Sequence, residues 1–62
     1  MRGRALELAV CVLLAERGPL LTVDVAIYCG VSTGAALAAL KRLEVAGVVE
    51  RFGSPPSWGR VR

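Results

Sequence analysis

The chain has 62 residues, a formal charge of +3 and an apolar fraction of 55%, so it forms one domain at most and is not disordered. Two cysteines and no histidine leave no zinc-ligand pattern and no imidazole general base. The pI near 9.5 permits a polyanionic partner, since Lys and Arg neutralise phosphates, and equally permits a plain solvated basic surface.

Met-Arg-Gly-Arg followed by ALELAVCVLLA has the outline of a secretory signal. Glu7 interrupts the apolar region early, Leu13 stands where cleavage would need a small residue before Ala15, and removal would strip the core of a helix. The run is too short to span a bilayer. The initiating Met suggests the natural start, and a cytoplasmic location is expected.

Arg4 to Glu16 predicts helix 1, which Gly18-Pro19 stops. Leu6, Val10, Leu13 and Leu14 form an apolar stripe for the core. Leu8, Val12 and Ala15 form a second strip. It fits either a homodimer contact through helix 1 or a helix buried more deeply within the monomer; the small size of the domain favours the dimer. Leu20-Leu21 reads as a short strand or an anchored loop.

Thr22 is the expected N-cap of helix 2, with Asp24 in its first turn. Val23 to Cys29 is β-branched and partly alternating, which by propensity favours a strand. The end signals argue for a helix with Val25, Ala26 and Cys29 on one face. Gly30 ends it, and Ser32 caps helix 3 (about 32–46), which Gly47 stops. Ala36, Leu40 and Leu43 face the core, Ala39 allows close approach, and Lys41, Arg42 and Glu44 point outward. Two helices joined by a short Gly-containing turn form a helix-turn-helix. Val-Val-Glu-Arg-Phe, Gly-Ser-Pro-Pro-Ser and Trp-Gly-Arg-Val-Arg then predict a hairpin, or wing (about 48–61). Phe52 and Trp58 are expected to pack across it. Cys11 and Cys29 read as small buried hydrophobes, without a disulfide.

Gly30-Val31-Ser32-Thr33-Gly34 matches G-x-S-x-G between a strand-like run and a helix, the setting of a nucleophile elbow. Without a histidine Ser32 has no base, and the chain is too short for the supporting sheet. The stretch also lacks the Lys of a phosphate-binding loop. No enzyme activity, cofactor or metal is expected.

Gly30-Val31-Ser32, Ala39-Leu40-Lys41-Arg42-Leu43-Glu44 and Ala46-Gly47-Val48-Val49-Glu50-Arg51 together resemble winged helix-turn-helix regulators of bacteria and phages, which often read V-S-x-x-x-x-x-x-A-L-K-R-L-E-x-A-G-L-V-E-R there. The resemblance covers nearly all of residues 1–62. It implies a mainly α fold of three helices plus a wing, and a DNA-binding transcriptional or mobile-element regulator with double-stranded DNA as partner. Helix 3 would enter the major groove by its N-terminal half. The matching outward positions are Ser32, Thr33, Gly34, Ala35, Leu37 and Ala38. Two hydroxyls suit a base or a phosphate, and Ala35 or Leu37 suits a thymine methyl. Lys41 and Arg42 on helix 3, Arg51, Arg60 and Arg62 on the hairpin and tail, and Arg2 and Arg4 at the start would grip the backbone.

Two plainer roles compete for these cations. Lys41 and Arg42 suit a helix C-terminus, as Arg17 does on helix 1, and charges on a hairpin protect a sheet edge. From Val25 to Leu40 there is no charged residue. That motivates a second expectation: a winged-helix protein-interaction module without sequence-specific DNA binding.

Overall fold

The structure, a computed structural model, describes residues 3–61. The chain forms α1 (Gly3–Arg17), β1 (Leu20–Leu21), α2 (Thr22–Cys29), α3 (Thr33–Val45), β2 (Val49–Phe52) and β3 (Ser57–Arg60). This is the expected mainly α arrangement of three helices and a hairpin wing. Of the two readings of Leu20-Leu21 the strand holds, and it makes the sheet three-stranded in the order β1-β3-β2, antiparallel throughout. Among the described residues no single helix is long and apolar enough to cross a membrane.

Helices α2 and α3 end for the same local reason. Gly30 adopts φ 68°. Its N–H donates to the Ile27 carbonyl, and the Val31 N–H donates to that of Ala26. The same pair of bonds recurs after α3, where Gly47 has φ 78°, its N–H donates to Glu44, and the Val48 N–H donates to Leu43. This two-bond lock satisfies the last carbonyls of a helix and needs a left-handed residue that glycine supplies without a Cβ penalty. The locks overcome the strand propensity of Val23 to Cys29, which folds as α2 with Val25 and Ala26 buried.

The start of α2 departs from expectation. Thr22 is not the N-cap. Leu21 holds that position in an extended conformation and provides no side-chain cap. The helix begins directly from β1, whose Leu21 pairs with Ser57. Thr22 is thereby the first helical residue, and its Oγ1 accepts a hydrogen bond of 2.8 Å from the Trp58 indole Nε1.

One core joins the elements. Leu6, Val10 and Leu14 from α1 meet Val25 and Ala26 from α2, and Ala36, Ala39, Leu40 and Leu43 from α3. Val49 and a fully buried Trp58 close it from the sheet. The hairpin register pairs Arg51 with Trp58 and Phe52 with Ser57. Trp58 and Phe52 therefore lie on opposite faces and do not pack across the hairpin, because strand side chains alternate. Trp58 fills the core, whereas Phe52 lies on the outer face beside Gly59.

Replacing Thr22 with Val keeps its shape and removes the acceptor for a buried donor. The expected loss of stability is about 1–3 kcal/mol, read from urea denaturation. Leu40→Ala should cost about 2–5 kcal/mol, by the same measurement.

Candidate nucleic-acid interface

The axes of α2 and α3 are bent by 109° at the turn between them, within the range of about 90–120° for a helix-turn-helix. The turn is held at both sides. Gly30 and Val31 close α2, and Ser32 opens α3 by accepting a 3.1 Å bond from the Ala35 N–H on its Oγ. That bond uses the hydroxyl as an acceptor and leaves its proton free to donate outward.

Along α3, Gly34, Ala38, Lys41 and Val45 are exposed. Their spacing of four, three and four residues makes them one solvent-facing stripe. Thr33 is exposed beside it. Ala35 and Leu37 are partly buried and pack against the core, so only part of each side chain is presented outward. The open surface of the N-terminal half of α3 thus consists mainly of Ser32, Thr33, Gly34 and Ala38.

The basic residues divide into two groups. The Arg42 Nε donates to Glu7 Oε2 at 2.7 Å. Arg51 donates from Nε and Nη2 to the two carboxylate oxygens of Glu44 at 3.0 and 3.3 Å, and its guanidinium lies 5.1 Å from the Trp58 ring centroid. These pairs clamp α3 to α1 and to β2. Both arginines remain about half exposed, a setting in which an ion pair contributes about 0–1 kcal/mol and exchanges readily. Lys41 and Arg60 are exposed and make no ion pair among the described residues. Arg17 ends α1 and lies 5.1 Å from the centroid of the Tyr28 ring. Arg4 is exposed; Arg2 and Arg62 fall outside the described residues.

Exposed apolar side chains accompany this surface. Ile27 and Tyr28 on α2 are 71% and 55% exposed, and Val45 is 89% exposed. No motif or charge in the sequence marks them, but the helical phase implies them, since turning Val25, Ala26 and Cys29 inward sends Val23, Ile27 and Tyr28 outward.

Arg60 also lines an open groove of about 840 Å³, with Glu50, Phe52 and Val61 of the sheet side facing Leu14, Ala15 and Pro19 at the end of α1. Among the described residues no cluster of three or more His, Cys, Asp or Glu could hold a metal. Cys11 and Cys29 are free thiols; burial pushes the Cys29 thiol pKa up. No protein-family model, curated protein or solved structure matches the chain.

Ser32→Ala removes the cap of α3. It should destabilise the fold by about 0.5–2 kcal/mol, seen as a lowered denaturation midpoint. Ser32→Asp, which restores an acceptor, should recover most of that loss.

Proposed function

We propose that the chain is a small winged helix-turn-helix DNA-binding protein, a transcriptional or phage/mobile-element regulator acting in the cytoplasm. The N-terminal half of α3 enters the major groove, and the wing lies along the backbone. The observation that carries this reading is the 109° bend of α2 and α3, with the outer stripe of α3 open to solvent and Arg51 and Arg60 exposed on the hairpin. Lys41 and Arg60 meet phosphates directly, while Arg42 and Arg51 exchange carboxylates for phosphates on binding. The exposed hydroxyls of Ser32 and Thr33 donate to a base edge or a phosphate. With so few base-reading side chains, affinity is dominated by the backbone and sequence discrimination is modest.

Fluorescence anisotropy with a random-sequence duplex tests this reading. Affinity should fall steeply between low and physiological salt. Lys41→Ala with Arg60→Ala should flatten the slope of log K against log salt by roughly one to two units, since each phosphate contact contributes about 0.9. Glu44→Gln frees Arg51 and should tighten binding. No binding at low salt by folded protein overturns the proposal.

A second reading rests on the exposed Ile27, Tyr28 and Val45 and on the uncharged run from Val25 to Leu40. Under it, the α2–α3 face docks on another protein. Ala38→Arg separates the two. Added charge on the open stripe strengthens DNA binding in the first case and blocks assembly in the second.

A further inference from the structure

The core face of α1 is occupied by Leu6, Val10 and Leu14. On the opposite side, Ala5, Leu8, Val12 and Ala15 are all exposed, with Leu8 at 63% and Val12 at 56%. Their spacing of three, four and three residues is that of a coiled-coil seam. The strip is therefore not buried within the monomer, and it is regular enough to specify what covers it.

We infer that this seam binds the same seam of a second copy of the chain, with the two α1 helices antiparallel about a two-fold axis level with Val10. The argument is self-complementarity. Under that operation Leu8 meets the partner's Val12, and Ala5 meets the partner's Ala15. Each large side chain thus faces a large one, and each small side chain a small one. Arg4 falls at the level of the partner's Glu16, so opposite charges flank both ends of the seam. Neither residue makes an ion pair within its own chain among the described residues. A parallel arrangement would instead set Arg4 against the partner's Arg4 and Glu16 against the partner's Glu16. Antiparallel packing also places the helix dipoles head to tail. A self-matching surface of this kind suits an isologous dimer. The seam spans only three turns, less than a standard stable interface buries, so the association is weak. If the DNA reading above holds, the same axis relates the two α3 helices by the two-fold symmetry that inverted half-sites have.

Sedimentation equilibrium without DNA tests this independently of any nucleic-acid binding. The wild-type chain should approach twice its 6.5 kDa mass as concentration rises to several hundred micromolar. Leu8→Glu and Val12→Glu should each give a monomer with an unchanged circular dichroism spectrum, because both positions already face solvent. Arg4→Glu should weaken the dimer about threefold or more, and Arg4→Glu with Glu16→Arg should restore it. A wild-type chain that stays monomeric throughout overturns the interface, as does a dimer indifferent to Leu8→Glu and Val12→Glu. An Arg4→Glu chain that dimerises like the wild type overturns the antiparallel register.

Discussion

The fold depends on the burial of Trp58. It is the largest fully buried side chain, and in a domain of 62 residues one such group is a large share of the apolar area removed from water. An indole carries a donor that must be satisfied when buried. Thr22 accepts it at 2.8 Å. The bond ties the central strand of the sheet to the first turn of α2, across 36 residues of sequence. The wing base and the helix-turn-helix are therefore parts of one packed unit.

The rest of the scaffold is built from short-range devices that repeat. Glycine locks end α2 and α3, and Ser32 opens α3. Two carboxylate–guanidinium pairs join α3 to its neighbours at the surface. Glu7 reaches Arg42, and Glu44 reaches Arg51. These pairs hold α3 between α1 and the wing at little energetic cost to break. Under the proposed function, the same arginines that steady the free protein would be the ones reassigned to phosphate.

The legible parts of the sequence were those decided within a few residues. Gly30, Ser32 and Gly47 mark ends through their own backbone and side-chain chemistry, and they outweighed the strand propensity of Val23 to Cys29. The periodicity of Leu6, Val10 and Leu14 and of Ala36, Leu40 and Leu43 identified the core. The failures came from strand pairing and register, from weakly marked helical phase, and from side-chain partners that no local pattern names. Thr22 has the chemistry of a cap, but β1 pairing gave that position to Leu21 and freed the hydroxyl for Trp58. Phe52 and Trp58 looked like partners until the register put them on opposite faces. Ala35 and Leu37 seemed outward because helical phase in an Ala-rich stretch is weakly marked by polarity. The carboxylates that hold Arg42 and Arg51 lie 35 and 7 residues away, and no local pattern announces them.

The strand order has a consequence for cutting the domain short. β3 follows the other described elements in sequence and lies in the middle of the sheet. A chain stopped after β2 would leave β1 and β2 with no shared neighbour, the helices with an uncovered apolar face, and Thr22 with no indole to bind. The last stretch of the domain is therefore not a removable appendage, because the rest of the fold closes around it.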